Sequence, residues 1–375
     1  MKLITFYIFL AVIVPGQYVF ANIEKKYSKI IFDENTQTVI SEENADTRIF
    51  PSSMTKIMTL LVAFDKIGKG EISLSDQVTV SNRAWSKKGS SMFLKEGQQV
   101  SIEDLITGVI VVSGNDASIA LAEGISGSVE EFVKEMNALA LSIGLKQSHF
   151  VNPSGWPEDN HYMSTRDILK ISREIFLKYP EYHKIFTLPK FTFNDVTQPN
   201  SNHLLNSEMG IDGIKTGATD RGGFGIATTA IQDNRRVFIV NNGLSTSKAR
   251  FDDALRSFRV AFYQYTEKNL YSKGDVIAEI PINDGTKKSF VVIAPCDILV
   301  LLPKNSFKSI NVEIDHHTPL IAPIKNGDKV ADIIVFSISN NDEKIILKTI
   351  PVFVDQNIHK ISAIHSVFRK LFMIS

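Results

Sequence analysis

The sequence predicts a mixed α/β protein of the α+β kind. An antiparallel sheet packed with helices comes first, then a small all-β domain, then a C-terminal amphipathic helix. Strand-like runs at 29–40 and 224–240 bracket a long stretch of capped, apolar helices, so strands from both ends should share one sheet with helices against it. From Leu270 to Val354, short strand patterns and turn signals replace helical spacing. Apolar residues then return at three- and four-residue steps, one helix face. The predicted division is 1–21, 22–266, 270–354 and 357–375.

Residues 1–21 read as a secretory signal: Lys2, an apolar core from Leu3 to Val14, and Val19-Phe20-Ala21 before a cleavage point. A retained membrane anchor is the alternative, and either one puts the body of the chain outside the cytoplasm. Lysine plus arginine and aspartate plus glutamate number 41 each, which leaves no basic excess for a nucleic-acid partner. The single cysteine, Cys296, excludes an internal disulfide. It sits in an apolar run and is expected to be a buried small hydrophobe.

Taken in order, Lys29–Phe32 and Thr38–Ile40 flank Asp33-Glu34-Asn35 as a hairpin. Pro51-Ser52-Ser53 supplies helix-start chemistry for the apolar run that ends near Gly68 and Gly70. Residues 76–100 are polar with short strand signals, and 89–93 reads as a loop. Ser101 with Asp104, Ser128 with Glu131, and Ser164 mark three further helix starts. The first of these helices breaks at Ser113-Gly114-Asn115, the second stops at Gly144, and 150–162 is irregular. Phe224–Ala230 and Val237–Val240 are strands, closed by an amphipathic helix over 247–265. In the all-β part, Asp284-Gly285 and Asn326-Gly327 are turns. His316 and His317 point to opposite faces of a strand and do not make a metal site there.

Ser53 and Lys56 stand three apart, so on a helix they share a face with Cβ atoms about 5–6 Å apart. A serine hydroxyl is a weak nucleophile until a base takes its proton. A lysine among apolar side chains loses hydration, and its neutral amine becomes that base. The pattern alone is weak, because Ser-x-x-Lys arises about once or twice by chance in a chain of this length. Ser245-Thr246-Ser247-Lys248 fits it equally well.

Two further strings, Ser113-Gly114-Asn115 and Lys215-Thr216-Gly217, each occur once. With Ser53-Met54-Thr55-Lys56 ahead of them, in this order and spacing, the chain resembles the low-molecular-mass penicillin-binding proteins that act as serine-type D-alanyl-D-alanine carboxypeptidases. The resemblance runs from the signal to the tail. It implies a β-lactamase/transpeptidase-like catalytic domain and no cofactor. Ser53 would be the nucleophile, Lys56 its base, and Ser113 a proton relay to the leaving amine. Asn115 would orient Lys56 or the substrate amide, and Lys215, Thr216 and Arg250 would receive the substrate carboxylate. Gly217 would let the peptide lie against its strand, and the backbone N–H groups of Ser53 and Ala218 would hold the oxyanion.

The implied substrate is the peptidoglycan stem pentapeptide, with β-lactam antibiotics as covalent inhibitors. The implied location is the periplasm, on the outer face of the inner membrane, held by the C-terminal helix. On that helix Ile358, Ile361, Ile364, Phe368, Leu371 and Phe372 would face lipid, opposite Lys360, Arg369 and Lys370. A D,D-endopeptidase would use the same residues, but such relatives commonly lack a second β-domain. A β-lactamase-like hydrolase needs a glutamate after the second motif. Only Glu158-Asp159 is available there, without the Glu-x-x-Leu-Asn context, which disfavours efficient antibiotic hydrolysis. A non-catalytic wall-binding protein has no need of a nucleophile–base pair.

Overall fold

A computed structural model describes residues 26–304, 310–316, 319–338 and 343–362. The secretory-signal reading of 1–21, His317 and the tail beyond Ser362 therefore lie outside the described residues.

The first part of the chain is organised by a five-stranded antiparallel sheet. From one edge its strands are Thr38–Glu43, Ser28–Asp33, Arg235–Leu244, Gly223–Gln232 and Ile211–Thr219. The N-terminal hairpin thus pairs with strands from the far end of the domain, as predicted. Both sheet faces are buried, and the two-residue alternation of a strand sorts side chains between two cores. Phe238 and Val240 join the larger core with Ile30 and Phe32, while Val237 and Ile239 join the smaller one with Ile31. The larger core is roofed by the helices Lys56–Gly68 and Thr165–Lys178. The smaller is covered by Ser247–Arg259, continued by a wide turn over Val260–Gln264.

The helix starts follow the predicted chemistry. The hydroxyls of Ser101, Ser128 and Ser164 accept from the backbone N–H of Asp104, Glu131 and Asp167, filling orphan donors of the first turn. One hairpin escaped the sequence reading: Lys190–Phe193 pairs with Val196–Pro199 across Asn194-Asp195, both with positive φ. Asn and Asp tolerate that conformation in tight hairpin turns. The hairpin buttresses the loop at 89–94, since Gln198 donates to Ser91 O at 3.1 Å and Asn194 to Phe93 O at 2.8 Å.

Beyond Tyr265 only strands occur among the described residues, around a separate core that includes Ile280, Val292, Val300, Ile333 and Val335. Lys329–Ile338 is the central strand of its largest sheet, flanked by Ile310–Asp315 and Lys344–Phe353. Two expectations are corrected here. Cys296 is exposed, because it falls in the turn between Ser289–Ile293 and Ile298–Pro303 and not in either strand. Ile358 is not a lipid-facing helix residue: it is 1% exposed in the β-domain core and bridges Ile324. Lys360 likewise bridges Gly285, so 358–361 closes the β-domain as extended chain.

Candidate active site

Ser52–Thr55 forms a tight turn that runs into the helix Lys56–Gly68, on which every residue from Lys56 to Phe64 is buried. Lys56 is completely buried, and its Nζ lies 2.9 Å from Ser53 Oγ, 2.7 Å from Asn115 Oδ1 and 2.9 Å from Ser154 O. Burial pushes its pKa well below the ordinary lysine value; the nearby Lys215 adds to this and Asp116 opposes it. The hydrogen bonds then fix the amine. Ser154 O can only accept, and Asn115 Oδ1 is the acceptor because Asn115 Nδ2 donates to Lys88 O at 2.8 Å. A neutral amine has two N–H groups, and these two acceptors use both. Its lone pair is left facing the Ser53 hydroxyl.

Ser113 has φ +62° and Asn115 opens the helix Asn115–Ser126, so the chain turns sharply between two buried helices. Among the described residues the Ser113 hydroxyl has no hydrogen-bond partner. Asp116, also buried, accepts from Ser91 Oγ, Met92 N and Leu94 N. That carboxylate holds the 89–94 loop as one wall of the site.

The irregular stretch 150–161 contributes residues the sequence reading passed over. Asn152 Oδ1 gathers the N–H groups of Ser154, Gly155 and Trp156, folding the loop so that Ser154 O reaches Lys56. Gly155 has φ +79°, and a Cβ there would stand 1.8 Å from Ser52 O. His161 is buried, accepts from Val151 N at Nδ1, and therefore carries its proton on Nε2, 2.8 Å from Thr55 Oγ1. Burial, with His149 nearby, holds its pKa down to about 3. The available signal was Asn152-Pro153-Ser154-Gly155, a turn string whose asparagine can bond its own following backbone. Glu158 accepts from Asn152 Nδ2 at 2.9 Å, which ties it into this loop.

The opposite wall is the edge strand Ile211–Thr219. Lys215 is 1% exposed, with one long hydrogen bond, 3.4 Å, to Thr216 O. Burial and the neighbouring Arg250 lower its pKa to about 7. A Cβ on Gly217 would meet Pro51 O at 2.8 Å, so the bare glycine lets this strand close on the Ser52–Thr55 turn. Arg250 donates to Gly217 O and Ser247 Oγ, each at 3.1 Å, and its buried Nε has no partner among the described residues. Burial lowers its pKa to about 10. A cleft of about 400 Å³ opens over Ser53, between Ser90 and Asn115 on one side, Ala218 and Arg221 on the other, with Trp156 at its foot. The competing string at 245–248 is no such pair, because Lys248 is exposed and bound to Asp252.

This geometry has close counterparts. A D-alanyl-D-alanine carboxypeptidase family model matches residues 21–245, and a model of the C-terminal domain of penicillin-binding protein 5 matches 265–360. A D-alanyl-D-alanine carboxypeptidase of Bacillus subtilis is 34% identical over 82% of this chain and 80% of its own. One from Escherichia coli is 33% identical over 82% and 78%. Penicillin binding protein 5 from Haemophilus influenzae superposes with a TM-score of 0.81 at 32% identity, covering 89% of this chain and 97% of that one. A penicillin-binding protein of Listeria monocytogenes, solved in its ampicillin-bound form, superposes at 0.57 with 26% identity over 66% of this chain and 99% of its own. Sequence kinship over both parts and a shared arrangement of helices and sheet lead to one assignment: the chain belongs to the D-alanyl-D-alanine carboxypeptidase family.

Proposed function

We propose that the protein is a serine-type D-alanyl-D-alanine carboxypeptidase that removes the terminal D-alanine from peptidoglycan stem pentapeptides. The observation that carries this is the completely buried Lys56, whose Nζ lies 2.9 Å from Ser53 Oγ and whose pKa burial holds well below the ordinary lysine value, as a base for that hydroxyl requires. Lys56 takes the hydroxyl proton as Ser53 Oγ attacks the carbonyl between the two D-alanines. The backbone N–H groups of Ser53 and Ala218 receive the developing oxyanion. Collapse expels the terminal D-alanine, its amine protonated from Lys56 through Ser113, and leaves an ester on Ser53. Water, deprotonated by the same lysine, then hydrolyses the ester.

Lys215, Thr216 and Arg250 take the free carboxylate of the peptide. A carboxylate beside Lys215 favours its charged form, which burial and Arg250 disfavour. A β-lactam would acylate Ser53 in the same way and leave slowly, since Glu158 is committed to Asn152. The chain works in the periplasm, on the outer face of the cytoplasmic membrane, where the tail beyond Ser362 adds Phe368, Leu371 and Phe372 beside Arg369 and Lys370.

Incubation with a defined pentapeptide, followed by mass spectrometry, tests the reading. Release of D-alanine that vanishes in Ser53→Ala is expected. Cleavage of cross-linked dimers without release from pentapeptide would replace the carboxypeptidase with an endopeptidase.

A further inference from the structure

The two proposed oxyanion donors sit on elements far apart in sequence, and the residues beside them touch. Ser52, one before Ser53, and Thr219, one after Ala218, have their hydroxyl oxygens 2.8 Å apart. We infer that Ser52 and Thr219 form a hydroxyl clamp that sets the spacing of the oxyanion hole, making both of them positioning residues. The inference rests on the proposed role of the Ser53 and Ala218 N–H groups.

Three observations support it. Ser52 has φ +52°, a left-handed conformation that residues with a side chain adopt only at a cost. Such strain persists where surrounding contacts hold it, and it gathers at functional sites. Here the residue is 2% exposed and enclosed on two sides: Gly155 leaves room for its carbonyl, and Gly217 leaves room for its Cβ. Contact with a bare glycine fixes how close the strand Ile211–Thr219 comes to the nucleophile turn, but it offers little resistance to sliding along the strand. The hydroxyl pair supplies that missing constraint. Thr219 is itself anchored, since its Oγ1 also accepts from Gly222 N at 3.0 Å. Its proton is then free for Ser52, or it receives the proton of Ser52.

An oxyanion donor works only within about 2.7–3.1 Å of the oxygen, so a slip of a few tenths of an ångström falls on catalysis and not on ground-state binding. The test uses the full chain and four variants: Ser52→Ala, Thr219→Val, the two combined, and Thr219→Ser. Acylation by a fluorescent penicillin and D-alanine release from an N-acylated D-alanyl-D-alanine tripeptide are measured beside melting temperature. Each single variant should lose about tenfold in kcat and in acylation rate, with KM within about twofold and melting little changed. The combined variant should be no slower than Thr219→Val, which already removes the contact to Ser52 along with the acceptor for Gly222 N. Thr219→Ser should restore the rate. Losses that multiply in the combined variant, or that appear in KM or melting alone, would overturn the clamp. A wild type acylated by penicillin but inert on the tripeptide would sink the carboxypeptidase reading and leave the acylation test of the clamp standing.

Discussion

Two buried lysines define the residue scale, and their surroundings divide the work between them. Lys56 is held by Asn115 Oδ1 and Ser154 O with its Nζ 2.9 Å from Ser53 Oγ, whereas Lys215 makes a single long hydrogen bond among the described residues, to Thr216 O, and lies near Arg250. Lys56→Arg keeps a cation but cannot accept a proton near neutral pH, so D-alanine release should fall by at least about a thousandfold. Lys215→Arg keeps a donor for a carboxylate and should lose much less; equal activities of the two variants, assayed side by side, would refute the division. The pKa of about 7 for Lys215 also has a sign that can be checked. An arriving carboxylate raises that pKa, so binding takes up a proton in the window between about 7 and the raised value. KM for the peptide should therefore rise as pH climbs past about 7, and Lys215→Arg, always charged, should flatten the rise.

At the scale of elements, the 150–161 loop is the part most finely fitted to the nucleophile helix. It meets that helix and the turn before it through Thr59 donating to Pro153 O, Lys56 to Ser154 O, and His161 Nε2 to Thr55 Oγ1. Gly155→Ala forces both an unfavourable φ and a backbone collision. It should cost roughly 1–3 kcal/mol in unfolding free energy and most of the acylation rate. Undiminished labelling by penicillin would show that the loop moves without consequence. His161 adds a pH dependence. Its folded pKa, about 3, lies below the ordinary value of 6.5, so the unfolded chain binds the extra proton between those limits. Stability from this residue is full above pH 6.5 and is lost as pH falls, by up to about 1.4 kcal/mol per unit. Urea melts from pH 7 to 4 should show a shallower decline in His161→Gln than in the wild type.

On the scale of the whole molecule, the catalytic part and the β-domain keep separate cores and meet in sequence at Tyr265, whose carbonyl accepts from Arg235. The β-domain extends to Ile361, which donates its N–H to Asp284 O. A chain ending at Ser362 should therefore stay folded, soluble and active while no longer sedimenting with vesicles rich in anionic lipid. A chain ending at Val354 deletes Ile358 from the core and should melt lower; losing a buried aliphatic of that size costs about 2–5 kcal/mol. Equal sedimentation of the full chain and the Ser362 chain would remove the membrane anchor from the proposal.

The sequence by itself determined the elements whose causes are local. Cap serines, apolar spacing and turn pairs marked the helices and the strand-only second part, and three short strings marked the residues that the proposed function makes nucleophile, base and carboxylate partner. It had no means of separating Ser53-Met54-Thr55-Lys56 from the string at 245–248 by spacing alone. Burial of one lysine and exposure of the other did that. Tertiary structure alone decided that the carbonyl of Ser154 completes the base, that Gly155 and Gly217 must be bare, and that Cys296 lies in a turn. It also drew Ile358 into the β-domain core and brought Ser52 against Thr219. Each of these depends on which surfaces meet across many residues of chain, and a one-dimensional pattern carries no distance between residues so far apart.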